Sequence, residues 1–108
     1  MSTYPRGVRG RTPEIYNVTM TLADTEYDQE LPYRCLKFLM HTRDESEFRV
    51  AFETGVVAAP AGDYLTVLAG TRYYEDGVNN ENTAGNLTTL YFASDSAGKV
   101  MEILVWTG

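Results

Sequence analysis

Residue types that carry catalysis or bind transition metals are scarce in this chain, which has one cysteine and one histidine among 108 residues. A single cysteine permits no internal disulfide, so nothing implies an oxidising compartment. Two Cys and His residues in total fall short of the roughly four that a structural zinc site wants. Cys35 and His41 share strand parity and would lie on one face, but six residues at ~3.3 Å rise set them roughly 20 Å apart, far beyond the ~3 Å that nucleophile activation needs. There is no phosphate-cradling loop, because Gly7 and Gly10 flank Val8-Arg9 in a segment rich in Pro and Arg and not between a strand and a helix. Neither an enzyme nor a cofactor is expected.

Long hydrophobic runs are also missing. No stretch approaches the ~18 apolar residues of a membrane helix, and the N-terminus does not resemble a signal peptide. A soluble protein without membrane contact is expected, in which the sequons Asn17-Val18-Thr19 and Asn86-Leu87-Thr88 are chance matches.

Positive charge is in short supply: nine Lys and Arg stand against fifteen Asp and Glu, a net charge of −6. Phosphate-backbone binders cluster cations, so no nucleic-acid partner is expected. The distribution is uneven. Residues 1–12 contain Arg6, Arg9 and Arg11 with no acid, a charge of +3, and the remaining residues carry six basic against fifteen acidic groups, −9. A basic arm on an acidic body suits a strap for an acidic partner or for a sister copy, and a solvated tail is the plainer alternative. Asp24, Glu26, Asp28 and Glu30 alternate and could converge on a hard cation such as calcium, although no EF-hand spacing is present and a solvated acidic loop is the simpler reading.

What the chain has in quantity is strand-forming sequence. Hydrophobic residues make up 44% and aromatics 12%, with eight Tyr against four Phe. Such a chain is one domain with a modest core, about 13 Å in radius of gyration. Residues 1–14, with two prolines and two glycines, read as an extended arm ahead of a single domain at 15–108. Ile15–Leu22 alternates as a half-buried strand with Val18, Met20 and Leu22 inward, and 23–32 reads as a polar connection. Tyr33–Arg43 places Leu36, Phe38 and Met40 inward; Glu47–Thr54 places Phe48, Val50 and Phe52 inward; a turn at Asp44-Glu45-Ser46 pairs the two as a hairpin. Asp63–Leu68 and Thr71–Glu75 flank Gly70, a candidate corner where the chain crosses between sheets. Asn86–Ala93 and Lys99–Trp106 read as a closing hairpin around Ser94–Gly98. Both faces of its last strand are largely apolar, so that strand is central or is covered by another chain.

No run carries helical periodicity, and about seven short strands predict an all-β fold: an antiparallel β-sandwich, jelly-roll-like. Phe38, Phe52, Gly70, Tyr91 and Trp106 are its expected structural residues. Tyr73 and Tyr74 adjoin, so one must point away from the core, and with Trp106 it could form a sugar-binding platform; buried hydrophobic mass is the simpler reading of Trp106. The apolar loop with Val56, Val57 and Pro60 is a contact surface or part of the core.

From Gly62 to Trp106 the chain resembles small structural proteins of tailed bacteriophages. The matching residues are Gly70, Tyr74 and Glu75, then Leu90, Tyr91, Ser94, Asp95, Val100, Glu102, Ile103 and Trp106. The resemblance covers about 45 residues and includes no catalytic signature. It implies a virion component: a capsid cement or decoration protein, bound outside the head and bridging major-capsid subunits. The expected contacts to the major capsid protein or a sister subunit are Tyr4, Arg6, Arg9, Arg11, Val56, Val57 and Pro60. A homo-oligomer is expected, a trimer before a dimer. A receptor- or glycan-binding module and a low-copy head–tail or tail component are the alternatives.

Overall fold

Alternation of apolar and polar residues builds two sheets that share one core. In a computed structural model of the chain, which describes residues 13–76, 78 and 87–107, eight strands form: β1 (Glu14–Met20), β2 (Tyr27–Glu30), β3 (Cys35–Thr42), β4 (Phe48–Ala51), β5 (Leu65–Val67), β6 (Tyr73–Asp76), β7 (Thr89–Ala93) and β8 (Lys99–Thr107). The sheet order is β1-β8-β3-β6 in sheet A and β2-β7-β4-β5 in sheet B, antiparallel throughout. The fold is a β-sandwich. β1 pairs with β8, β2 with β7, β3 with β6 and β4 with β5, so the chain behaves as one long two-stranded ribbon rolled onto itself.

This nesting overturns both expected hairpins. β7 lies in sheet B beside β2 and β4, whereas β8 lies in sheet A between β1 and β3. Ser94–Gly98 is therefore a crossing between layers, and β3 and β4 are separated in the same way. Alternation predicts which residues face inward, and both kinds of connection satisfy that pattern. The corner expected at Gly70 is observed: β5 belongs to sheet B and β6 to sheet A, and Gly70 turns the chain between them at φ +82. The acidic connection holds a strand that alternation alone does not reveal, β2, four residues long. At the other boundary, β1 begins at Glu14, inside the segment read as arm.

The core lies between the layers. Sheet A contributes Met20, Phe38, Met40, Met101, Ile103 and Val105, and sheet B contributes Phe48, Val50, Leu90 and Phe92, each at most 1% exposed. Tyr73 packs edge-on to Phe38 at 5.6 Å. A bulge between Cys35 and Lys37 inverts the expected parity at the start of β3, burying Cys35 and leaving Leu36 outside. Phe52, expected inward, is 48% exposed because β4 ends at Ala51 and the chain turns away from the layer.

One end of the sandwich is bound by its own crossings. Asp24 N–H donates to the Ser94 carbonyl (2.7 Å), Gly98 N–H to Met20 (2.8 Å) and Gly70 N–H to Glu45 (2.9 Å). Buried Thr42 donates through its hydroxyl to the Ser46 carbonyl at 2.9 Å, which leaves no unpaired donor there.

Replacing Phe38 by Ala is expected to cost about 3–5 kcal/mol of unfolding free energy, because it empties the core centre. The same change at half-exposed Phe52 is expected to cost about 1 kcal/mol. Urea unfolding of the two variants measures both, and equal losses would contradict this placement of Phe52.

Candidate functional site

The two outer faces of the sandwich differ, and the difference begins with side-chain size. Sheet B presents the small Ala51 and Ala93 outward, and the β4–β5 connection folds over them. Val57 is fully buried and Val56 nearly so, in a small second cluster with Ala51 and Ala93, against which half-buried Tyr91 packs. Arg49 fastens this cover, donating through Nε to the Val57 carbonyl (2.8 Å) and through Nη2 to Asp24 Oδ1 (2.9 Å). Glu26 accepts from the Thr54 hydroxyl (2.7 Å) and from Gly55 N–H (2.8 Å). Val56 and Val57, read from sequence as possible contact residues, are thus spent on the chain's own packing, and Pro60 stays exposed.

Sheet A has no such cover among the described residues. The pairing registers align Ile15 with Leu104, Leu104 with Leu39 and Leu39 with Tyr74, so one row crosses all four strands on the outer face. Ile15 is 66% exposed and Tyr74 51%, and Leu39 and Leu104 are half-buried between them. On one flank Trp106 lies opposite Lys37, whose Nζ sits 4.7 Å from the indole ring centre and 6.0 Å from that of Tyr74. Trp106 is therefore a half-buried outer-face residue. Tyr74 is the tyrosine that points outward, and Tyr73 faces the core.

On the other flank, Asn17, Glu102 and His41 form the adjoining row. Glu102 Oε2 accepts from Arg43 Nε at 2.6 Å, and its Oε1 lies 3.7 Å from His41 Nε2. His41 Nδ1 lies 2.9 Å from its neighbouring Thr42 carbonyl. Ile15, Asn17, Leu39, His41, Glu102 and Leu104 line a shallow hollow of about 330 Å³. A wider cleft of about 510 Å³ opens at the opposite end of the sandwich, with Phe38, Phe52, Glu75, Asp76 and Tyr91 among its walls. It brings two carboxylates next to apolar surface, with no cation or thiol among its lining residues.

The expected Cys35–His41 relationship does not hold, because the bulge sends Cys35 into the core while His41 stays outside. Burial pushes the Cys35 thiol up to about 11, and its sulfur donates to the Lys37 carbonyl at 3.5 Å. That thiol is a packing group, since nucleophilicity requires thiolate. The four alternating acids do not converge either. Asp24 and Glu26 are committed to Arg49 and to the 54–55 turn, and Asp28 and Glu30 project from β2. Among the described residues, no group of three His, Cys, Asp or Glu side chains is placed to hold a metal. Tyr4, Arg6, Arg9 and Arg11 lie outside the described residues.

No known family model, curated protein or solved structure matches this chain. The row across sheet A is therefore read on its own chemistry: apolar area, one aromatic-bracketed cation and a charged rim, a composition suited to protein contact. Sequence reasoning raised the second face of the last strand, which holds Leu104, but missed Ile15 and Leu39 as part of a surface. Two signals pointed to it, the misplaced Leu39 on an otherwise polar strand face and the two-sided apolar pattern of the last strand.

Asp44 holds the rim at the bound end. Lys99 Nζ donates to its Oδ2 at 2.6 Å and Ser46 N–H to its Oδ1 at 3.2 Å; these bonds, Lys99 first, lower its pKa from 3.8 to about 2. A carboxyl whose folded pKa lies below its unfolded value stabilises the fold above the unfolded value, and the contribution disappears as pH falls through the folded one. Asp44→Asn is expected to lower the thermal midpoint at pH 6, by an amount that shrinks as pH falls from about 4 towards 2. Thermal melts across that range read the difference; a gap that does not narrow with falling pH would contradict the assignment.

Proposed function

We propose that this chain is a non-enzymatic structural protein of a tailed-phage virion, a cement or decoration protein that binds the outside of the head and bridges major-capsid subunits. The observation that carries the reading is the row Ile15–Leu104–Leu39–Tyr74, uncovered among the described residues, on a sandwich whose other face is partly covered by its own loop. Three further features support it. The nested pairing reads as a jelly-roll order, an architecture found in capsid proteins. Tyr74, Val100, Glu102 and Trp106, which carry part of the phage resemblance, all belong to the outward side of sheet A. The +3 charge of residues 1–12 is opposite in sign to the −9 of the rest, as a strap across an acidic neighbour requires.

The mechanism is mechanical. A row of apolar side chains removed from water gives affinity in proportion to area, and the rim of Lys37, Arg43, His41 and Glu102 sets orientation. Arg6, Arg9 and Arg11 add salt-sensitive attraction to carboxylates of a capsid subunit or a sister copy. A copy that contacts two capsid subunits adds interface that must be broken before they separate.

Co-sedimentation with heads lacking this protein tests the reading, using residues 1–108, residues 13–108 and Tyr74→Glu at low and high salt. Saturable binding is expected for the full chain. Loss of the three arginines weakens it about tenfold at low salt, at roughly 0.5 kcal/mol per exposed ion pair, and by less at high salt. Tyr74→Glu is expected to weaken binding at both salt concentrations. Failure of all forms to bind would overturn the cement reading, and binding to glycans in its place would establish the alternative.

A further inference from the structure

We propose that β1 is a self-association edge, at which two copies of this chain pair their Glu14–Met20 strands antiparallel about Asn17 and join their A sheets into one. Every open sheet presents unpaired backbone N–H and C=O groups at its margins, and proteins commonly protect them with charge, proline or brevity. Among the described residues there are four edges, and three are protected in these ways. β2 carries Asp28 and Glu30, β6 ends in Glu75 and Asp76, and β5 has three residues. β1 has seven residues, EIYNVTM, with one charge, and that charge stands at its first position.

The same comparison selects the occupant. Of the four edges, β2 or β6 of another copy would bring two carboxylates to a molecule of net charge −6, and β5 would pair three residues. A second β1 pairs seven and brings one acid, at the margin. Centring the pairing on Asn17, the midpoint of the strand, uses the whole length: Glu14 faces the partner copy's residue 20, Ile15 its residue 19, and Tyr16 its residue 18. On the inner side this closes Tyr16 and Val18, both only partly buried at the sheet margin, over one another's counterparts. On the outer side it carries the row from Tyr74 to Ile15 across the junction into the second molecule. A strand paired with itself antiparallel makes a twofold contact, so the assembly is built from dimers and not from the trimer expected from sequence.

Sedimentation of the full chain tests this, with Ile15→Lys/Thr19→Lys and Ile15→Lys/Thr19→Glu as variants. Both positions are solvent-exposed, so neither substitution disturbs the core, and circular dichroism verifies folding. A concentration-dependent dimer is expected. The double-lysine variant sets like charges opposite each other twice and weakens the dimer on the order of tenfold, whereas the lysine–glutamate variant restores it. Oxidation supplies an independent reading. Asn17→Cys lies on the twofold within disulfide reach, while Thr19→Cys places its two thiols ~13 Å apart along the strand. Only Asn17→Cys is expected to cross-link, and buried Cys35 stays silent. A monomeric full chain, a dimer indifferent to the charge variants, or equal cross-linking at both positions would overturn the proposal. Neither readout involves capsids, so the outcome is separable from the cement reading.

Discussion

The structure depends on β8 being paired along both sides. It is nine residues long, it takes β1 on one side and β3 on the other, and it supplies three fully buried side chains, Met101, Ile103 and Val105. A last strand lodged between the first and the third requires the chain to return on itself, and in two layers it does so by rolling as a ribbon. Six of the seven connections then cross between sheets, and the β4–β5 connection alone stays within one. Crossings of this kind leave backbone groups at a sandwich end, and here they satisfy one another, as Asp24 with Ser94 and Gly98 with Met20. The long-range pairing and the capped end are two consequences of one placement.

Much of the fold was legible because burial follows alternation. Phe38, Met40, Phe48, Val50 and the closing run all face as their spacing implies, and the two-sided apolar pattern of Val100–Trp106 correctly marked a central strand. Gly70 was legible for a different reason, since a glycine between strand-like runs supplies the left-handed backbone that a corner uses. Pairing was not legible. A five-residue, glycine-containing loop can close a hairpin or cross a sandwich, and what decides between them at Ser94–Gly98 is the hydrogen bonding to residues 20 and 24, far away in sequence. Three local features inverted readings of individual residues. β1 ends at Met20, which leaves Leu22, read as inward, 60% exposed. The bulge at Cys35 added one residue to β3 and exchanged the roles of Cys35 and Leu36. The early end of β4 at Ala51 carried Phe52 outside.

The candidate surface was partly visible for the same reasons. Trp106, Tyr74 and Glu102 were singled out, yet only the registers of β1, β3 and β6 show that Ile15, Leu104, Leu39 and Tyr74 lie in one line. Alternation assigns each of these to a face of its own strand, and alignment across strands is a property of register, which sequence fixes weakly in the absence of tight turns.

The asymmetry between the two outer faces follows from residue volume. Ala51 and Ala93 leave a depression on sheet B into which Val56 and Val57 fit, and Arg49, 13% exposed at its side chain, replaces its lost water with the Val57 carbonyl and Asp24. Sheet A instead carries Leu39, Leu104, Tyr74 and Trp106 on its outer side, large residues where sheet B has alanines. Among the described residues, the chain therefore covers the small residues of sheet B and leaves the large ones of sheet A uncovered. Large, flat, apolar side chains with a bracketed cation are what a partner surface gains most from burying. The same difference in volume that lets Val56 and Val57 settle over Ala51 and Ala93 leaves the larger side chains of sheet A in contact with water among the described residues.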